Sequence, residues 1–379
     1  MSAIDVIVPV HRGLAATRRC LDSLLAAGSQ ARFDAIVVDD ATPEPEIAAH
    51  LDRLAADRRI TLVRNDRNLG FVQSVNRGMA VHPDRDVVLL NSDTEVANDW
   101  LDRLQRCVHA RSDIGTATPF SSNATICSYP FPGWTGGVPG TLGLAALDLL
   151  FAAANAGKSV DLPTGVGSCL YIHRACLDAI GAFDAERFGR GYGEENDFCL
   201  RAAAAGWRSV LAADVFVFHE GAVSFGDERS ERAQAALATL LELHPDYARR
   251  VKDFVARDLA RPLREAVDAA RLERGRVEAA GVLAERAQEC RHLQARLAEV
   301  EALPDEREAI IAALRAGLAH AEELVAEREP EHARLRDEIG KLSAGMSHAE
   351  ALAISRLEEL QRIHANPLWK LLSPWLRRK

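Results

Sequence analysis

Long apolar runs are missing from this chain of 379 residues. No stretch of 18 or more apolar residues occurs, so no transmembrane helix is expected. The nearest approach, residues 142–157, is interrupted by Asp148. A positive excess is missing too: 46 Lys and Arg face 55 Asp and Glu, for a formal net charge of −9. Phosphate neutralisation needs clustered cations, so general nucleic-acid binding is not expected. The seven cysteines, Cys20, Cys107, Cys127, Cys169, Cys176, Cys199 and Cys290, are odd in number and form no CxxC pair. They read as reduced small hydrophobes, which suits a cytoplasmic protein. The opening MSAIDVIVPV enters a strand pattern at once without a basic leader, so no signal peptide is expected. Asn123-Ala124-Thr125 then fits a glycosylation sequon only by chance. No GxGxxG follows the first strand pattern, which excludes a Rossmann dehydrogenase. A nucleotidyltransferase would need a Gly-rich basic phosphate loop, and the first turn, VHRGLAAT, has a single glycine.

Hydrophobic residues make up 48% of the chain, enough for a sizeable core. The length suggests about two domains. The first part alternates short apolar runs with helical patterns. Ile4 to Val10, Ala35 to Asp39, Ile60 to Arg64 and Asp86 to Leu90 read as strands. Thr17 to Ala27, Ile47 to Ala56 and Val72 to Ala80 read as helices between them. That alternation implies an α/β fold, a mostly parallel sheet with helices on both faces. Ser121 to Gly143 is rich in Gly, Pro, Ser and Thr and reads as loop. Structure resumes at Gly165 to His173, with a helix from Asp197 to Ala205 and a strand from Asp214 to Phe218.

Beyond Pro262 the sequence is dominated by Ala, Leu, Glu and Arg, which favour helix. Three heptad-like seams follow: Leu283, Ala287, Cys290, Leu293, Leu297 and Val300; Ile311, Leu314, Leu318, Ala321 and Val325; Leu335, Ile339, Leu342, Met346 and Ala349. Pro304 and Pro330 separate them. The expected organisation is a first domain over 1–250, a helical, coiled-coil-like region over 251–365, and a tail over 366–379. The helical region is expected to form a hairpin or to self-associate, and to be separable from the first domain. In the tail, NPLWKLLSPWLRRK, Trp369 and Trp375 lie among Lys370, Arg377, Arg378 and Lys379, a composition that suits a membrane surface.

In open parallel sheets ligands bind beyond the carboxyl ends of the strands. Here those tips carry His11 and Arg12, then Asp39 and Asp40, then Asn91, Ser92 and Asp93. Such groups can bind a base, a ribose or a divalent cation. Each alone is weak, because acidic pairs also cap helices. Their order is more specific. IVPVHRG, VVDDAT, RNDRNLGFVQSVNRGM, VVLLNSDTEV, GEENDFCLRAAAAGW and FHEG, spread over residues 3 to 226, together resemble the family 2 glycosyltransferases of the GT-A fold, with rhamnosyltransferases of bacterial surface polysaccharides among the most similar members.

The resemblance implies a nucleotide-diphospho-sugar donor, a saccharide or lipid-linked acceptor, and inversion at the anomeric carbon. It implies that Pro9, Asp39 and Asp40 line the nucleoside pocket. Arg64, Asn68, Gly70 and Asn76 would lie near the nucleotide or shape its loop. Asn91-Ser92-Asp93 corresponds to the DxD motif. Asp93 would bind the metal, Mg²⁺ or Mn²⁺, with His219 completing the site. Asn91 stands where an aspartate is usual, leaving an amide to hydrogen-bond a ribose hydroxyl. Glu195 aligns with the catalytic base, again a departure, since aspartate is usual there. Glu194 would orient the acceptor, and Asp197 would be a cap or an acceptor contact. A scaffold that only presents a coiled coil would be expected to lose these groups, yet Asp93, Glu195 and His219 all stand. The implied setting is cell-envelope polysaccharide or glycolipid assembly in the cytoplasm, peripheral to the inner face of the plasma membrane.

Overall fold

Strand β1 (Ile4–Val10) is buried on both faces, with Asp5 its one charged residue, and pairs in parallel with β2 (Phe33–Asp39) on one side and β4 (Asp86–Leu90) on the other. Strand β3 (Thr61–Arg64) extends the parallel array beyond β2. The connecting helices are α1 (Leu14–Ala26), α2 (Pro45–Ala56) and α3 (Phe71–Met79). After β4 come β5 (Thr94–Glu95), α4 (Trp100–His109) and β6 (Ile114–Ser121). The chain continues through α5 (Leu144–Ala154), β7 (Ser159–Leu162), β8 (Cys169–Ile172), α6 (Arg174–Ile180), α7 (Ala185–Phe188), α8 (Glu194–Ala204) and β9 (Arg208–His219). Helices α9 (Arg229–Leu243), α10 (Tyr247–Arg257), α11 (Arg261–Leu272) and α12 (Arg276–Glu301) follow. This computed structural model describes residues 3–221, 229–301 and 312–328, with positions 330, 333–334, 337, 341 and 355–356.

The sheet runs β3-β2-β1-β4-β8-β6-β9-β5, with β7 beside β9. It is parallel through its first half and mixed beyond β4, because β8 is antiparallel to both β4 and β6. One face buries α1, α2 and α4 through Leu21, Leu24, Leu51, Trp100 and Leu104. The other buries α3, α6 and α8 through Val72, Val75, Leu177 and Phe198. Each fully buried Val, Leu or Phe contributes about 1.5–3 kcal/mol, so the two faces together dominate the fold's stability.

The interrupted apolar run at 142–157 resolves into α5. Asp148, its only charge, is fully buried and takes both guanidinium nitrogens of the equally buried Arg103 on α4. The run is therefore core rather than membrane. Among the described residues no helix is long and apolar enough to cross a membrane.

The helical region starts as part of the same body. Leu263 and Val267 of α11 bury against Phe151, Leu211 and Phe216. One compact unit extends to Gly317 and a second begins at Leu318, so the body continues past the boundary expected at 250. Helices α11 and α12 form a hairpin, but its buried face differs from a simple apolar seam. On α12 the buried positions are Glu278, Val282, Glu285, Arg286 and Cys290, while Leu283, Ala287, Leu293 and Leu297 are half-buried. Charge fills the gap: Arg271 meets Glu278 at 3.0 Å and Glu285 at 2.6 Å, and Arg286 meets Asp268. Residues 312–328 are helical, with Leu314 and Ala321 of the second seam buried. The third seam and the tail lie outside the described residues, apart from isolated positions.

Candidate functional site

The carboxyl ends of β1, β2 and β3 build one wall. Asp40 is buried, and its carboxylate accepts hydrogen bonds from Asn65 Nδ2 at 2.7 Å, Leu69 N–H at 2.6 Å and Gly70 N–H at 2.8 Å. Asp39 accepts from Thr42 N–H at 2.9 Å and from Arg64 Nε at 3.1 Å. The acidic pair thus holds two loops, 40–42 and 65–70, around the end of β2. Half-buried Pro9 sits opposite Val38 in the parallel register. Arg64 spans Asp39 and Asp52.

Asn68 ties the wall to a loop far along the chain. Its amide donates to His11 Nε2 at 2.8 Å and its carbonyl accepts from Arg190. His11 Nδ1 lies 3.0 Å from the Asp40 carbonyl, which assigns the ring proton to Nδ1. Gly70 has φ +85°, and a Cβ there would meet Arg190 Cα at 2.8 Å. Glycine is needed both for that backbone conformation and for this close approach. Asn76 departs from expectation. Its side chain donates to Phe183 O at 2.8 Å and accepts from Phe183 N–H at 3.1 Å. It clasps α3 to the segment before α7, so its polar atoms are committed to the scaffold.

The Asn91-Ser92-Asp93 turn follows β4 and is pinned from the side. Asn91 N–H donates to Ser168 O at 2.9 Å, and Thr94 N–H donates to Asn91 O at 3.0 Å. Ser92 and Asp93 are buried. The Asn91 side-chain oxygen is buried without a hydrogen-bond partner among the described residues. Pairing of β5 with β9 sets Thr94 against His219. His219 Nδ1 lies 2.6 Å from Asn123 O, so it donates there, and its backbone N–H donates to Ser122 Oγ at 3.0 Å. His219 Nε2 lies 3.4 Å from Asp93 Oδ1, close enough for one divalent cation to engage both. A backbone carbonyl on the far ring nitrogen is the usual way a ligating histidine is oriented.

The second acidic cluster opens α8. Gly193, at φ +85°, starts the helix. Glu194 is buried, and its Oε2 has no hydrogen-bond partner among the described residues. Burial, and then the neighbouring Glu195 carboxylate, push its carboxyl well above the usual range. Glu195 is half-buried against Gly167, with its Cγ 3.5 Å from where a Cβ on that glycine would sit. Burial pushes its carboxyl up, while backbone N–H groups at Gly193 and Gly167 oppose the shift. Asp197, expected as a cap or an acceptor contact, is buried, with one oxygen bonded to Arg201 Nε at 2.7 Å and the other to His244 Nε2 at 2.9 Å. Both bonds help fix α8.

The loop 165–168 joins the clusters. Gly167 lies on Glu195, and Ser168 receives Asn91 on the other side. Asp93 with His219 and Glu195 with Glu194 therefore flank one loop, while Asn76 and Asp197 bond to Phe183, Arg201 and His244. Sequence reading missed this loop, together with Asn123, Arg190, His244 and Tyr247, whose hydroxyl donates to Asn196 Oδ1 at 3.3 Å. The small residues of GVGS ahead of an apolar strand were a usable signal for the loop. The others make contacts across more than 40 residues of sequence, where local pattern carries no information.

Residues 5–129 match the family model described as Glycosyl transferase family 2. The Sinorhizobium fredii protein "Uncharacterized protein y4gI" is 25% identical over 242 residues, covering 61% of this chain and 26% of that protein. The Myxococcus xanthus "O-antigen biosynthesis protein RfbC" is 27% identical over 238 residues, 58% of this chain and 17% of that protein. The chain thus spans only 26% and 17% of the length of these curated relatives. The crystal structure of GalNAc-T7 with UDP, GalNAc and Mn2+ matches with a TM-score of 0.50 and 17% identity, over 70% of this chain and 54% of that one. That likeness is one of fold.

Proposed function

We propose that this chain, whose residues 5–129 match the family 2 glycosyltransferase model and whose fold is like that of a GT-A enzyme, transfers a sugar from a nucleoside-diphosphate donor to an acceptor hydroxyl with inversion. The observation that carries the reading is the single loop shared by two chemically different acidic clusters, one facing a histidine and one with a buried oxygen that has no hydrogen-bond partner among the described residues. The first suits a diphosphate and the second suits proton abstraction.

Asp93 and His219 would hold a divalent cation, Mg²⁺ or Mn²⁺, and the two facing acceptor atoms fit one. Such an ion, when bound, neutralises charge growing on the leaving diphosphate. Its sparse protein shell suits an ion that keeps waters and phosphate oxygens as its other ligands. The buried Asn91 oxygen offers an acceptor for a ribose hydroxyl. The wall made by Pro9, Asp39 and Asp40 gives the base and ribose a rigid seat, held by the loops those carboxylates fasten.

Glu195 would take the acceptor proton. Its backbone partners orient it, and its partial exposure lets a hydroxyl approach. Burial keeps that carboxylate's proton affinity high, and Glu194 lies beside it in the sequence. The relation of one curated relative to O-antigen biosynthesis supports an acceptor in surface polysaccharide assembly.

Donor-hydrolysis and transfer assays across UDP-, dTDP- and GDP-sugars, each with Mg²⁺, Mn²⁺ or chelator, test the proposal. Activity should require the ion and one nucleotide class. Asp93→Ala should lose both transfer and metal-dependent nucleotide binding while unfolding at an unchanged temperature. Full activity of that variant in excess chelator would refute the metal assignment.

A further inference from the structure

A second cluster of metal-ligating groups lies at the other end of β4. Asp86 is the first residue of that strand and the Asn91 turn follows its last. At about 3.3 Å per residue these ends are roughly 16 Å apart, so this cluster is separate from the donor site. Asp86 from β4, His109 from the end of α4 and His173 from the link between β8 and α6 each bring one ligand atom to within 4.8 Å of the others.

We propose that Asp86, His109 and His173 form a zinc-type site of three protein ligands that links β4, α4 and the start of α6. Two imidazoles and one carboxylate suit Zn²⁺ or a similar borderline ion, with water as the fourth ligand of a tetrahedral shell. The carboxylate is already oriented: Tyr171 Oη donates to Asp86 Oδ2 at 2.7 Å and Arg174 N–H donates to Asp86 Oδ1 at 2.8 Å. Such outer partners are what a ligating carboxylate needs. His173 is set by its backbone N–H, which donates to Gly115 O at 2.9 Å, and its ring packs edge-on against His109 with centroids 4.8 Å apart.

A plain hydrogen bond accounts for only part of the cluster. His109 Nε2 lies 2.7 Å from Asp86 Oδ2, which satisfies that pair. His173 Nδ1 remains buried without a hydrogen-bond partner among the described residues. An orphaned buried polar atom is destabilising, and a cation bound through that nitrogen would satisfy it. Metal–ligand distances of about 2.0–2.1 Å put tetrahedral ligand atoms about 3.3 Å apart. The short pair would open by roughly half an ångström and the third group would close in, which side-chain rotation can supply. The neighbouring cluster of Asp5, Asp34 and His82 makes a contrast. There Arg85 already bridges Asp5 and Asp34, so a cation is built in.

Equilibrium dialysis of the full chain against Zn²⁺, with competing chelator, tests this. The protein should retain one equivalent that His109→Gln and His173→Gln each weaken at least tenfold, while Asp93→Ala and His82→Gln keep it. X-ray absorption of the retained zinc should show only nitrogen and oxygen ligands, and unfolding should shift upward with zinc in wild type but not in His173→Gln. Sulfur ligation, equal retention by the histidine variants, or no retained equivalent would overturn the site. Loss of transfer in Asp93→Ala with the zinc still bound would separate this ion from the donor's.

Discussion

Glu194 and Glu195 differ by one position, yet their surroundings separate them. Glu195 has backbone N–H partners and an open side, whereas Glu194 is buried and its Oε2 has no partner among the described residues. Because burial raises the Glu195 carboxyl, the acidic limb of kcat against pH should lie above the ordinary glutamate range near about 4.3. Glu195→Gln should lower kcat by about 10²- to 10⁴-fold while donor binding persists. An active Glu195→Gln beside a dead Glu194→Gln would move the base by one residue. Glu194 also makes a stability prediction with a definite sign. Burial, followed by the Glu195 charge, raises its folded value, so the folded state binds its proton more tightly than the unfolded chain does. Its favourable contribution is complete below the unfolded value near about 4.3 and is lost as pH rises through the folded value. Glu194→Gln should therefore gain stability relative to wild type as pH rises above that unfolded value. Urea unfolding midpoints at pH 4 and pH 8 measure this, and parallel shifts at both would contradict it.

The helical hairpin is the element where sequence and structure part most. Leu-rich spacing in residues 283–300 suggested an independent seam, yet α11 spends Leu263 and Val267 on the core beside α5, and Arg271 on Glu278 and Glu285. Tyr129, from the loop after β6, donates to Asp268 at 2.6 Å and accepts from Arg271 at 3.0 Å, so the hairpin is sewn to the catalytic body. Removing one partner of such a network leaves buried charge uncompensated. Arg271→Ala should cost about 3–5 kcal/mol, read as a lower denaturant midpoint. A chain ending at Arg257 should be less stable still, and a truncated chain with an unchanged midpoint would restore the separable region. Legibility followed the range of each interaction. The strand–helix alternation and the acidic tips were readable because period and strand end are local properties. The antiparallel insertion of β8 and the capture of Asp197 by His244 were not, because pairing partners lie far apart in sequence. Asn76 misled for the same reason: an asparagine on a helix reads alike whether it faces a nucleotide or the backbone of Phe183.

At the scale of the whole molecule, charge is unevenly distributed along the sequence. The chain carries a net −9, yet residues 366–379 hold four basic side chains, two tryptophans and no acid. Tryptophan places an apolar body and a polar N–H at a membrane interface, and each basic residue near an anionic leaflet gains roughly 1 kcal/mol. Four such residues supply attraction of a few kcal/mol, enough for reversible attachment and weakened by salt. The proposed transfer gives that attachment a use. A lipid-linked acceptor presents its hydroxyl close to the bilayer, and a peripheral enzyme at the inner face would meet it there. The competing arrangement packs Trp369 and Trp375 on the protein's own helices and leaves the acceptor soluble. Co-sedimentation with vesicles of anionic and of neutral lipid distinguishes them. The full chain should bind anionic vesicles, bind neutral ones weakly, and release as salt rises. A chain ending at Ala365 should stay in the supernatant with its soluble-acceptor activity intact. Equal partition of the two chains, or no binding by either, would rule out the membrane contact and favour a soluble saccharide acceptor.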